Sequence, residues 1–99
     1  YTICERNFRI GHYELDIIAT KGNRIIFVEV KTRTNPNHDP LEAIDNKKIT
    51  RMVRAANAFV ITHNIPHEVQ FDIITISGTP DKYTLEHISD AFTAPLSTR

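Results

Sequence analysis

At 99 residues, with 40% hydrophobic content and 12 basic against 12 acidic side chains, the chain has the size and apolar share of one folded domain and a formal net charge of zero. Zero net charge excludes a protein that coats nucleic acid through basicity alone, and a single cysteine, Cys4, excludes an intrachain disulfide. No apolar run reaches membrane-spanning length and no signal peptide is legible, so the expected location is the cytoplasm, with no membrane partner.

The chain opens on strand-like sequence around Cys4. Two runs rich in β-branched and apolar residues follow, Tyr13 to Thr20 and Arg24 to Thr32, flanking Gly22-Asn23, a pair of the kind that closes a two-residue hairpin loop. A turn there sets Ile17 opposite Val28, Asp16 opposite Glu29 and Glu14 opposite Lys31, with the four charged side chains on one face. The other face reads Leu15, Ile17 and Ala19 against Val30, Val28 and Ile26, and is predicted to be core. Ile18, Ile25 and Phe27 fill the turn end of the charged face.

Directly opposed side chains have Cβ atoms about 5 Å apart, and like charges at that distance repel unless a cation lies between them. An Asp16/Glu29 pair therefore asks for a hard divalent ion such as Mg²⁺, which takes oxygen ligands, uses one or two carboxylates and keeps several waters. Such an ion polarises a phosphoryl oxygen and activates water, while the neighbouring Lys31 stabilises charge developing on a phosphate. The chemistry expected is metal-assisted phosphodiester hydrolysis. The bland alternative is a solvated hairpin face with a Glu14–Lys31 ion pair worth about 0–1 kcal/mol, and a bulge in either strand would undo the opposition.

Thr32 to Pro40 has loop composition, and a loop beside the site can close over a substrate; its His38 is read as an ordinary loop histidine. Helical periodicity then runs from Leu41 to about His63, through Ile44, Ile49, Met52, Val53, Ala56, Phe59 and Val60, with Asp39-Pro40 as cap and first turn. Lys47, Arg51 and Arg54 form a basic stripe that can face phosphates. Lys48 falls inside the apolar stripe, between Ile44 and Met52, so it needs an anionic partner, for which the acidic hairpin face is the candidate.

Beyond Asn64-Ile65-Pro66, Val69 to Ser77 reads as an inner strand, and Tyr83 to Ile88 as a last, edge strand after the Gly78-Thr79-Pro80-Asp81 turn. Asp72 is read as an edge-of-sheet charge in preference to a further acid of the site. His12, His63, His67 and His87 lack the spacing that zinc uses, and the tail from Thr93 to Arg99 is expected to fray.

Asp16, Glu29 and the E-x-K string Glu29-Val30-Lys31 resemble the PD-(D/E)xK nuclease core of restriction endonucleases and archaeal Holliday-junction resolvases. The strings Arg6-Asn7-Phe8-Arg9, Tyr13 to Ala19, Phe27 to Arg33 and Glu42 to Lys48, in this order, are similar to the YraN-type family of uncharacterised bacterial proteins, over nearly the whole chain. Residue by residue, the resemblance implies Asp16 and Glu29 as metal ligands with the Val30 carbonyl as a third, Lys31 as the catalytic lysine, and Glu14 or Lys48 tuning the site. Arg33 joins Lys47, Arg51 and Arg54 as the residues expected to bind nucleic acid. Where the family pattern has Gly, this chain has Tyr13, a departure expected to alter the strand entry and leave the chemistry alone. The resemblance also implies an N-terminal helix with a further acid, missing ahead of Tyr1.

The expected fold is α/β, a restriction-endonuclease-like core in a single domain over residues 1–99: an antiparallel three-stranded meander, one long crossover helix and two more strands in a mixed sheet of about five. The expected function is Mg²⁺- or Mn²⁺-dependent hydrolysis of DNA, branched or damaged by analogy with the resolvases, with a homodimer as a plausible assembly. The alternative is a nucleic-acid-binding or protein-interaction module that keeps the pocket without turnover.

Overall fold

The computed structural model describes residues 1–33 and 45–93, with backbone alone for Arg33. The elements are β1 (Thr2–Ile10), β2 (Tyr13–Lys21), β3 (Arg24–Arg33), α1 (Asn46–Thr62), β4 (Glu68–Thr79) and β5 (Lys82–Phe92). They build a five-stranded sheet in the order β1-β2-β3-β4-β5. β1, β2 and β3 form the antiparallel meander, β3 and β4 pair in parallel, and β5 returns antiparallel as an edge strand. The mixed α/β architecture is the one expected, and α1 lies within the stretch that crosses from β3 to β4.

The β2–β3 turn holds the predicted register from Lys21–Arg24 to Ile17–Val28, with Gly22 at φ +57°, a conformation glycine adopts without Cβ strain. No ladder pair is formed beyond Ile17–Val28 among the described residues, and β2 slips its alternation at that point. Leu15 and Ile18 belong to one core cluster although strict alternation puts residues three apart on opposite faces. β1 is irregular alongside: the pairs Arg6–Ile17 and Phe8–Leu15 bracket Asn7, whose φ is +51°.

The predicted core face is buried at Ala19, Ile26 and Val28, but it is not the face that α1 covers. The face that α1 covers carries Ile18, Ile25 and Phe27, joined by Leu15 from beyond the slip, against Met52, Val53, Ala55, Ala56 and Phe59 of α1 and Phe71 of β4. Ala19, Ile26 and Val28, which the reading made the core, are also buried but on the opposite face. A strand in a parallel pair is commonly covered on both sides, so alternation could not tell which face the helix takes. Phe59 anchors the helix, meeting Phe8 edge-on at 5.2 Å and Phe27 at 5.9 Å between ring centroids.

The start of the helix is a correction. Asp45 has extended backbone (φ −89°, ψ 173°) and its carboxylate accepts a hydrogen bond from the Lys48 N–H at 2.9 Å, so a helix running on from Leu41 is interrupted there. The predicted Asp39-Pro40 cap, the loop with His38 and most of the frayed tail lie outside the described residues.

Candidate metal and phosphate site

Glu29 ends the apolar run of β3 on the face that α1 covers, two positions beyond Phe27, and is 4% exposed. A carboxylate desolvated to that degree requires compensation, and two groups supply it. Lys48 of α1 brings Nζ to 2.7 Å from Oε2, and the Tyr13 hydroxyl donates to Oε1 at 3.1 Å. Lys48 thus finds the anionic partner that its place in the apolar stripe demanded. It reaches Glu29 because the Asp45 cap starts α1 so that Lys48 falls in the first turn, above the end of β3.

Asp16 sits at the slip in β2. Its Oδ2 accepts a hydrogen bond from the Val30 N–H at 2.9 Å, so the carboxylate takes the place of a ladder partner where the β2–β3 ladder has ended. Asp16 lines a shallow opening of about 320 Å³ with Arg6, Asn7, Ile17 and Val30. Lys31 follows two residues after Glu29 on the regular β3 strand, so it shares Glu29's face and is part-buried.

Tyr13 bonds one of these carboxylates, Glu29, and lies near enough to feel the charge of the other, Asp16. Burial, then the negative charges of Glu29 and Asp16, push its hydroxyl well above its ordinary value, and the Arg51 guanidinium opposes them. Tyr13 also lines a cleft of about 550 Å³ with Ile10, His12, Arg51, Arg54 and Ala55. The expectation that this departure affects only the strand entry is therefore corrected: its hydroxyl touches Glu29. The sequence signal was there, since a phenol one strand away from a buried acid is a ready donor.

The structure separates the other predicted residues. Glu14 alternates with Tyr13 and Leu15, which face α1, so it leaves the face of Glu29 and Lys31; it stands opposite Arg9 and is exposed. The slip at Asp16 is the cause, and the Glu14–Lys31 opposition is not formed. Arg51 and Arg54 border the cleft beside Tyr13, while Lys47 is exposed on the same helix. The Arg33 side chain lies outside the described residues. Among the described residues no three of His, Cys, Asp and Glu come together. The acids of this stretch are the Asp16 carboxylate, bonded to the Val30 N–H, and the Glu29 carboxylate, one residue before Val30 in the chain, oxygen donors of the kind that a hard ion such as Mg²⁺ takes.

Asp72 belongs elsewhere. β4 is an interior strand, which corrects the edge-charge reading, and Asp72 stands level with Val28 on the face away from Glu29, fully buried. Its Oδ2 accepts from the Tyr1 hydroxyl at 2.6 Å and His87 Nε2 at 2.7 Å, and Oδ1 from Gln70 Nε2 at 2.9 Å and the Asp90 N–H at 3.0 Å. Burial pushes this carboxyl up, but the four hydrogen bonds outweigh it and hold the group below its ordinary 3.8.

Comparison with known proteins gives the chain its family. Residues 1–76 match the uncharacterised protein family UPF0102. A UPF0102 protein of Bacteroides thetaiotaomicron is 48% identical over 97 residues, covering 97% of this chain and 80% of that protein. One from Bacteroides fragilis is 44% identical over the same share of each. One from Caldanaerobacter subterraneus is 42% identical over 93% of this chain and 80% of its own length. The chain belongs to the uncharacterised protein family UPF0102.

Proposed function

We propose that this protein is a Mg²⁺- or Mn²⁺-dependent nuclease that hydrolyses phosphodiester bonds in DNA, with branched or damaged DNA as the substrate its likeness to the resolvases suggests. The observation that carries the reading is the buried Glu29, held by Lys48 and Tyr13, two residues from Lys31, with Asp16 fixed at the neighbouring strand and an arginine-lined cleft alongside. In this reading Asp16, Glu29 and the Val30 carbonyl hold the ion, which supplies Lewis-acid polarisation of the phosphate and a more acidic water. Lys31 stabilises negative charge developing on the phosphoryl oxygens. Tyr13 and Lys48 fix the orientation of the Glu29 carboxylate. Arg51, Arg54, Lys47 and Arg33 hold the DNA backbone and give binding its salt dependence. No helix among the described residues is long and apolar enough to cross a membrane, and cytoplasmic DNA is the proposed partner.

One observation favours a second reading. Both oxygens of Glu29 already have protein partners, one of them cationic, so the site is charge-compensated without a metal. That is what a binding module on this fold would need. Calorimetric titration of Mn²⁺ and Mg²⁺ into the wild type, Asp16→Asn and Glu29→Gln separates the two. Metal heat in the wild type that is lost in both variants supports the nuclease; absence of heat in the wild type at millimolar metal leaves the binding module. Given metal binding, Lys31→Met is expected to abolish cleavage of a four-way DNA junction while retaining its binding.

A further inference from the structure

The two edges of the sheet are unlike. β1 is broken by a register shift between Ile3 and Glu5 and by the left-handed Asn7, and it carries Glu5, Arg6 and Arg9, the devices by which edges resist pairing. β5 also carries charges, Lys82 and Glu86, but has neither backbone break over its first half: from Lys82 to Ile88 it pairs with β4 in unbroken register, the one step lying beyond the Ile73–Ile88 pair, and its outer side has no neighbouring strand among the described residues. Two large apolar residues stand exposed there, Tyr83 at 59% and Leu85 at 53%. They border an apolar cleft of about 340 Å³ with Ile76, Gly78 and Pro80.

The order of residues along this edge is self-complementary. A two-fold axis through Thr84 would set β5 antiparallel to its own copy, with Lys82 opposite Glu86 of the second copy and Tyr83 opposite Leu85. Lys82, Thr84 and Glu86 share the face of Thr75, whereas Tyr83 and Leu85 share the face of Ile76. One face thus gains two opposite-charge pairs and the other two aromatic–aliphatic pairs, each a favourable cross-strand combination. A parallel alignment about the same residues would instead bring Lys82 against Lys82 and Glu86 against Glu86.

We propose that β5 is a dimerisation edge, on which a second copy of this chain pairs antiparallel about Thr84 to give a continuous ten-stranded sheet. A two-fold axis normal to the sheet keeps both α1 helices on one side. The consequence for activity rests on the nuclease reading. Lys31 lies level with Thr75, and Thr75 with Glu86, so the two Lys31 residues are separated by five strand spacings and about four residues along the strands. In a flat sheet that is roughly 27 Å, and twist adjusts it. Both candidate sites would then open toward one substrate, a geometry suited to two phosphodiesters on one branched or duplex DNA.

Sedimentation equilibrium on the full chain, without metal or DNA, tests the edge alone. The wild type is expected at twice its monomer mass. Lys82→Glu creates two like-charge pairs and is expected to weaken the dimer about tenfold, and the double variant Lys82→Glu with Glu86→Lys to restore it. These positions are exposed, and unchanged circular dichroism confirms that each variant folds. A wild type that stays monomeric at millimolar concentration overturns the proposal and leaves the edge to a strand from another protein. A dimer indifferent to Lys82→Glu, or unrestored by the double variant, overturns it too. Because this readout involves neither metal nor DNA, it stands or falls apart from the calorimetry.

Discussion

Glu29 and Asp72 are buried carboxylates on neighbouring parallel strands, and they face opposite sides of the sheet. Asp72 has four donors on its two oxygens, drawn from the start of the chain, β4 and β5. Glu29 has one phenol and one ammonium, beside an open cleft. The first arrangement saturates the carboxylate and fastens three parts of the chain to it. The second has fewer groups completing it and stands two residues from Lys31. Burial alone does not tell these two acids apart; the number and kind of groups completing them do.

The comparison breaks most visibly at Asp72. Asp72→Ala strands the Tyr1 hydroxyl, the Gln70 amide and the Asp90 N–H, and is expected to cost about 3 kcal/mol in urea unfolding, given that hydrogen bonds to charged groups contribute roughly 1.5–3 kcal/mol each and are not additive. The same carboxylate sets the acid limit. Because its folded pKa lies below the ordinary 3.8, the unfolded chain takes up the proton first. Its stabilisation is complete above that value and is lost as pH falls through the folded pKa. Asp72→Asn is expected to flatten the acid limb of the stability curve, and an unchanged limb would assign acid unfolding to other groups.

At Glu29 the expected effects are smaller. Lys48→Met leaves the buried carboxylate without its cation and is expected to destabilise by about 2 kcal/mol, a value reduced from the fully buried case because the lysine side chain is 32% exposed. The smallest effect belongs to Tyr13→Phe, at about 1 kcal/mol for one hydrogen bond. It carries its own pH signature. The raised pKa of the Tyr13 hydroxyl means the unfolded chain loses the proton first as pH rises, so this contribution is complete below the ordinary value of 10.0 and declines above it. Thermal melts from neutral to alkaline pH are expected to show a steeper loss in the wild type than in Tyr13→Phe.

How much of this was legible depended on the range of the interaction. Gly22-Asn23 fixed the hairpin register locally, and helical spacing put Lys48 in the apolar stripe, which was enough to name Glu29's side of the sheet as its partner. The slip at Asp16 has no local signature beyond an Asn at position 7, a residue that tolerates left-handed backbone, and so alternation alone puts Glu14 on the wrong face. The Asp72 network joins residues up to 71 positions apart, beyond the reach of any periodicity. The helix start was ambiguous because Asp39 and Asp45 are both competent caps, and local sequence does not rank them.

The single parallel pairing, between β3 and β4, also governs how the chain assembles itself. The meander closes through tight turns, with little loop entropy to overcome, as does the β4–β5 hairpin. The β3–β4 seam must instead bring together strands separated by everything from Arg33 to Glu68. Most of the ordering cost of the sheet is therefore concentrated in one joint, and α1, by docking Phe59 and Met52 on Phe27 and its neighbours, shortens the span that this joint has to close.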